Sequence, residues 1–102
     1  MRIRLGPADL PPGSMRGHEL GPERFVLLAN VGGEYHAIDD WCNHAGCLLS
    51  NGNLEGTRVE CPCHGMMFDV RSGAAASWPR LCEDQKRFPL SVEGGEIWVE
   101  IG

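Results

Sequence analysis

The order of apolar and polar residues along the chain predicts short β-strands and little helix. No apolar stripe with the 3.6-residue period of an amphipathic helix continues for three turns, and 14 glycines and 7 prolines interrupt the chain. The last apolar segment, EIWVEI at 96–101, alternates instead. It therefore predicts a strand with Ile97, Val99 and Ile101 on one face, and with Glu96, Trp98 and Glu100 on the other, which faces solvent.

Two glycine pairs predict hairpins at the two ends of the chain. Gly32-Gly33 separates RFVLLANV (24–31) from EYHAI (34–38), and Gly94-Gly95 separates PLSVE from EIWVEI. Two-residue turns of this kind need positive φ angles, which glycine adopts without a steric penalty. We expect an all-β fold.

The chain between the hairpins differs from its two ends. It contains turn signals, one further short strand predicted at 57–60, and two short clusters of cysteine and histidine. We therefore expect one domain over residues 1–102, with a framework formed by about 1–40 and 71–102. A loop-rich lobe over about 41–70 is inserted into it.

Charge and composition exclude two classes of partner. The net charge is −5, and the lysines and arginines are scattered, which argues against nucleic acid. No segment approaches the ~20 apolar residues of a membrane span, and the N-terminus lacks the apolar run of a signal peptide. We expect a soluble, cytoplasmic monomer with no membrane partner.

The two clusters are WCNHAGC at 41–47 and CPCHG at 61–65. Each contains one Cys-His pair: Cys42-x-His44 and Cys61-x-x-His64. A mononuclear zinc site usually takes two cysteines from one segment and two histidines from another. Mixed pairs suit a two-metal centre, because each segment can send its sulfur to one metal and its nitrogen to the other. One iron-sulfur centre of this kind is a [2Fe-2S] cluster with two histidines on one iron.

With these motifs, the chain resembles Rieske-type [2Fe-2S] ferredoxins, including the ferredoxin components of aromatic-ring dioxygenase systems. LLSNGNLEG, FDVRSG and FPLSVEGGEIWVEI extend the resemblance over nearly the whole chain. It implies an antiparallel β-sandwich framework with a smaller inserted cluster-binding subdomain. It also implies one Rieske-type cluster bound by Cys42, His44, Cys61 and His64, with the two histidines facing solvent.

The ligand set controls how easily the cluster accepts an electron. Two ferric ions and two sulfides carry a charge of +2, so four thiolates would leave −2, whereas two thiolates and two neutral imidazoles leave 0. Such clusters accordingly have reduction potentials of about −150 to +300 mV, against about −400 mV for plant-type ferredoxins. High-potential Rieske proteins usually carry serine and tyrosine where this chain has Met66 and Phe68. Because neither side chain donates a hydrogen bond, we expect a potential well below the quinol-oxidising class.

The remaining cysteines have two interpretations. By the resemblance, Cys47 and Cys63 match the disulfide that joins the two cluster loops in high-potential Rieske proteins. A cytoplasmic setting instead favours two free thiols. Cys82 lies outside both loops and is interpreted as an inert buried thiol. Met66 and Met67 could form an apolar docking tip, or fill the small core of the lobe.

The resemblance implies an electron carrier that passes single electrons from a flavin-dependent reductase to a terminal oxygenase. Catalysis by the chain itself would need a mononuclear iron site, typically two histidines and a carboxylate, and only His18 and His36 remain for it. We therefore expect that the chain is an electron carrier and not itself an enzyme. The alternatives are a small Rieske subunit of a larger oxidoreductase complex and a structural zinc-binding module.

Overall fold

The structure, a computed structural model, describes residues 1–22, 24–42, 46–63, 65–76 and 83–101. The elements in these ranges are β1 (Arg2–Pro7), β2 (Met15–Glu19), β3 (Phe25–Val31), β4 (Glu34–Asp39), a 3₁₀ turn η1 (Leu49–Asn51), β5 (Asn53–Glu55), β6 (Arg58–Glu60), β7 (Met67–Asp69), β8 (Arg87–Phe88), β9 (Leu90–Glu93) and β10 (Glu96–Glu100). No helix within these ranges has the length and apolar character needed to cross a membrane.

The strands form three antiparallel sheets. The outer sheet has the order β1-β10-β9, the central sheet β2-β3-β4-β8, and the lobe sheet β5-β6-β7. The outer and central sheets contain both ends of the described chain, and the lobe sheet is built entirely from its middle. The first cysteine motif lies between β4 and η1, and the second lies between β6 and β7 of the lobe sheet.

The central sheet is buried on both faces. Along β3, Val26 and Leu28 pack into a core shared with the outer sheet, whereas Leu27 and Ala29 pack into a core shared with the lobe. A strand buried on both sides needs apolar residues at successive positions, which explains why FVLLANV does not alternate. The central sheet therefore packs against the lobe with one face and against the outer sheet with the other.

The all-β fold and both hairpins are confirmed. Gly32 and Gly33 have φ angles of 61° and 95°, and Gly94 and Gly95 have 59° and 77°, as two-residue turns require. The strand predicted at 57–60 is present as β6.

The lobe is more regular than its sequence indicated, because its middle forms a three-stranded sheet instead of loops alone. Its strands have three residues each, too few to show an alternating pattern. The turn signals predicted β6, whereas β5 and β7 are revealed only by their pairing with it.

Candidate metal centre

The first cysteine motif forms a closed turn directly after β4. The N–H of Cys42 donates to the carbonyl of Cys47 (2.8 Å), and the N–H of Gly46 donates to the carbonyl of Cys42 (2.9 Å). Trp41 and Leu48 form a β-bridge at the base of the turn. Gly46 has a φ of 69°, which favours glycine at this position. These two hydrogen bonds close a tight turn that begins at Cys42 and ends at Cys47.

The second motif repeats the same turn between β6 and β7. The N–H of Cys61 donates to the carbonyl of Met66 (2.8 Å), and the N–H of Gly65 donates to the carbonyl of Cys61 (3.0 Å). Gly65 has a φ of 71°. In both turns the glycine lies four positions after the cysteine. The residue whose carbonyl closes the turn lies five positions after the cysteine. This shared C-x3-G spacing is visible in the sequence.

The two cysteines that open these turns are buried together. Cys42 is 0% exposed and Cys61 is 1% exposed, and both belong to the core between the central sheet and the lobe. The histidines predicted beside them, His44 and His64, lie outside the described residues. Two buried sulfur atoms on matching turns are the soft donors that an iron-sulfur cluster requires. The described part of the site therefore fits the sulfur half of the predicted ligand set.

A disulfide joins the two turns. Cys47 and Cys63 are bonded, their Cα atoms are 6.4 Å apart, and 16 positions separate them in the chain. This is the pairing that the resemblance implied. The bond therefore holds the two turns at a fixed separation. Cys82, interpreted from sequence as an inert thiol, lies outside the described residues.

A buried carboxylate fastens the base of the first turn. Asp40 accepts hydrogen bonds from the N–H of Ser50 at Oδ1 (2.7 Å) and from its hydroxyl at Oδ2 (2.6 Å), and its carbonyl accepts the N–H of Leu49 (2.8 Å). Burial raises the pKa of Asp40, and the Ser50 hydrogen bonds oppose that rise. Gly17 faces this pair so closely that a Cβ on it would lie 2.4 Å from the Ser50 Oγ. We call Gly17, Asp40 and Ser50 the loop clamp.

Gln85 provides a second connection to the first turn. Its side-chain amide donates to the carbonyls of Asp39 (2.8 Å) and Trp41 (2.6 Å), and its backbone N–H donates to the carbonyl of Gly73 (2.7 Å). The backbones of Gly73 and Gln85 approach each other so closely that a Cβ on Gly73 would lie 2.0 Å from the Gln85 carbonyl oxygen. The sequence interpretation missed both Gln85 and the loop clamp, because a lone Gln or an Asp-Asp pair carries no signal of its distant partner.

Met66 and Phe68 are core residues, with exposures of 5% and 0%. Of the two interpretations, the docking tip is wrong for Met66 and the core position is confirmed, because its side chain fills the core between the lobe and the central sheet. Met67 is half-buried. Both buried side chains lack a hydrogen-bond donor, as the predicted low potential requires.

The two framework histidines lie on the central sheet, His18 on β2 and His36 on β4. His36 Nε2 is 2.9 Å from a carboxylate oxygen of Glu34. Burial lowers the pKa of His18, and the adjacent positive charge of Arg16 lowers it further.

Comparison with known proteins identifies the family. The model of the Rieske [2Fe-2S] domain matches residues 4–89, so the chain belongs to that family. The chain is 43% identical over 93 residues to the ferredoxin component of biphenyl 2,3-dioxygenase from Rhodococcus jostii RHA1, covering 91% of this chain and 85% of the relative.

Solved structures agree with this assignment. The Sphingomonas yanoikuyae B1 ferredoxin superposes with a TM-score of 0.89 at 29% identity, with all of both chains covered. A chain in the complex of reduced oxygenase and oxidized ferredoxin in carbazole 1,9a-dioxygenase also gives 0.89, at 32% identity, covering 96% of this chain and 91% of that one. Membership of this family implies one Rieske-type [2Fe-2S] cluster, which when bound supplies one-electron redox chemistry.

Proposed function

We propose that this protein is the ferredoxin component of an aromatic-ring dioxygenase system, carrying single electrons to a terminal oxygenase. The main support is the pair of matching turns that bury Cys42 and Cys61 in one core, in a chain 43% identical to such a ferredoxin component. A carrier needs a redox centre close to its surface and no substrate site of its own. Two turns that bring Cys42 and Cys61 into one core would hold such a centre.

The ligands we propose are Cys42 and Cys61 on one iron and His44 and His64 on the other. The buried positions of the two cysteines support sulfur ligands on the protein side of the cluster. The histidines follow their cysteines by two and three positions in the sequence. Imidazoles on the outer iron would give a partner the shortest path for an electron.

We propose a flavin-dependent reductase as the electron donor and the cytoplasm as the location. A carrier between two enzymes must release each partner quickly, which suits small redox interfaces of below about 1,200 Å². A monomer with one exposed cluster tip can serve both partners in turn.

The test is a reconstituted system. The cluster-loaded protein is combined with the reductase and oxygenase components of biphenyl 2,3-dioxygenase from Rhodococcus jostii RHA1, with biphenyl and a nicotinamide donor. Product should form only when this protein is present, and should increase with its concentration. If the protein is reduced by dithionite but supports no product and passes no electron to the oxygenase, the proposed function is wrong.

A further inference from the structure

Trp41 is an exposed aromatic side chain beside the first cysteine turn. It is 48% exposed although it directly precedes the buried Cys42. Its ring stacks on Phe25 with a centroid distance of 5.8 Å and an interplanar angle of 22°. The ring also lies against the turn, since a Cβ on Gly46 would be 3.4 Å from Trp41 Cζ2. An aromatic ring held in this way loses little conformational freedom when a partner covers it.

Two cations lie next to this ring. Arg24 and Lys86 line a notch of about 260 Å³ together with Phe25, Asp39 and Phe88. Lys86 is held beside the first turn because its carbonyl accepts the N–H of Asp39 (2.8 Å). The carboxylate of Asp39 accepts the N–H of Trp41 (2.9 Å). We call Arg24, Phe25, Trp41 and Lys86 the Trp41 surface.

The charges of Arg24 and Lys86 are not neutralised within the described part of the chain. Neither forms an ion pair with any residue that the structure describes. Four other described arginines do form ion pairs with carboxylates: Arg2, Arg4, Arg16 and Arg71. Asp39 lines the same notch, so the two cations and one carboxylate leave a local charge of +1 beside the Trp41 ring, in a chain with a net charge of −5.

The other side of the site has the opposite character. A carboxylate oxygen of Glu60 lies 3.9 Å from the position of a Cβ on Gly65, in the second turn. Pro62 and Cys63 are exposed there. A partner with acidic groups would therefore be attracted on the Trp41 side and repelled on the Glu60 side. Such asymmetry determines the orientation in which a partner binds.

We propose that the Trp41 surface is the docking site for the terminal oxygenase, which would receive the Trp41 ring in an apolar recess bordered by Asp or Glu side chains. This inference rests on the proposed function. In a small redox interface, one buried aromatic anchor can contribute most of the binding energy, and the surrounding charges determine the association rate. The reductase is the competing occupant of the same surface.

The test measures electron transfer to two acceptors by stopped-flow spectroscopy. Dithionite-reduced, desalted protein is mixed with the oxidised oxygenase component of biphenyl 2,3-dioxygenase from Rhodococcus jostii RHA1, or with 1,4-benzoquinone, a small neutral acceptor. The ratio of the two second-order rate constants isolates docking from any change in the cluster. The midpoint potential of each variant is measured as well.

We expect Trp41→Ala to lower this ratio about tenfold, as loss of an aromatic hot spot does. Arg24→Glu and Lys86→Glu should each lower it about threefold or more, and added NaCl should reduce their difference from wild type. Two matched controls should stay within about twofold of wild type. Val92→Ala removes a side chain of the same 48% exposure on β9, and Arg58→Glu reverses an exposed cation on β6.

Equal ratios for Trp41→Ala and Val92→Ala would overturn the proposal. It would also be overturned if Trp41→Ala slowed reduction of this protein by the reductase component while transfer to the oxygenase stayed at the wild-type rate. If wild-type protein reduced the quinone but never the oxygenase, the proposed function itself would be wrong, and the docking site with it.

Discussion

At the scale of single residues, the chemistry depends on which atoms complete the two cysteine turns. Cys42 and Cys61 provide buried sulfur on one side of the core. If His44 and His64 provide the other two ligands, the oxidised centre is neutral, whereas any additional thiolate would make it anionic. The reduction potential is therefore the most sensitive reporter of ligand identity.

The variant His64→Cys tests this dependence. Replacing a neutral imidazole by a thiolate adds one negative charge to the cluster, so the midpoint potential should fall toward the all-cysteine value of about −400 mV. Protein-film voltammetry of the two proteins at one pH measures the change. A cluster-loaded variant with the wild-type midpoint would show that residue 64 is not a ligand.

A second prediction at this scale concerns Asp69. It accepts hydrogen bonds from the Arg71 backbone N–H (2.8 Å) and guanidinium (3.2 and 3.0 Å), and the side-chain hydrogen bond from Arg71 is the largest cause of its lowered pKa. A pKa that is lower in the folded state stabilises the protein above the unfolded value of about 3.9. That stabilisation is lost as the pH falls through the folded pKa.

The difference in free energy of unfolding between wild type and Asp69→Asn should accordingly be constant between about pH 5 and 7 and shrink below about pH 4. Urea unfolding at several pH values measures it. A difference that does not change with pH down to about pH 3 would contradict this account of Asp69.

At the scale of elements, the two cysteine turns are alike but are supported differently. The second turn closes a strand hairpin, because β6 and β7 pair directly up to Glu60 and Met67. The first turn follows the end of β4 and is fastened at its base by the Trp41–Leu48 bridge, the loop clamp and the Gln85 side chain. The position of the first turn therefore depends on side-chain hydrogen bonds, whereas the position of the second turn depends on the backbone pairing of β6 and β7.

The loop clamp predicts that Ser50→Ala lowers the free energy of unfolding by about 1–3 kcal/mol, because a buried carboxylate oxygen of Asp40 loses its donor. Gly17→Ala should cost a similar amount, since its Cβ would displace the Ser50 hydroxyl. The double variant should cost less than the sum, because removing Oγ relieves the closest contact. Urea unfolding measures all three.

Ser91→Ala is the matched control. The Ser91 hydroxyl donates to Glu93 at an exposed site (2.9 Å), so its loss should change the unfolding free energy by less than about 0.5 kcal/mol. Strict additivity of Gly17→Ala and Ser50→Ala would mean that the two residues do not act through one contact.

The disulfide is the covalent link between the two turns. Closing a loop of this length is worth about 3 kcal/mol in the chain-entropy estimate, so Cys47→Ser should destabilise by about that amount. The double variant Cys47→Ser with Cys63→Ser should cost no more than the single one. Alkylation of the denatured, unreduced protein should label two fewer of its five cysteines, counted by mass spectrometry. Five labelled cysteines would show that the bond is absent.

The sequence predicted some of these elements and missed others for physical reasons. Glycine pairs and the alternation of EIWVEI are local signals, so the hairpins could be predicted. The role of Asp40 depends on Ser50, ten positions later, and on Gly17, which is adjacent only after β2 has paired with β3. Contacts of this kind have no local pattern, and the burial of Met66 depends on them as well.

At the scale of the whole molecule, the central sheet shares one core with the outer sheet and another with the lobe. The outer sheet covers the central sheet, the central sheet supports the lobe, and the lobe carries both cysteine turns. The family could be predicted from sequence because the mixed Cys-His spacing is specific to a two-metal centre. The Trp41 surface could not, because exposure and unpaired charge are properties of the folded chain.

The most direct test of the central claim is pulsed electron paramagnetic resonance of the dithionite-reduced protein with ¹⁵N-labelled histidine. The account predicts a reduced [2Fe-2S] signal with hyperfine coupling to two histidine nitrogens, and loss of one coupling in His64→Cys. A reduced signal without histidine coupling, or metal-loaded protein that contains no inorganic sulfide, would contradict the account.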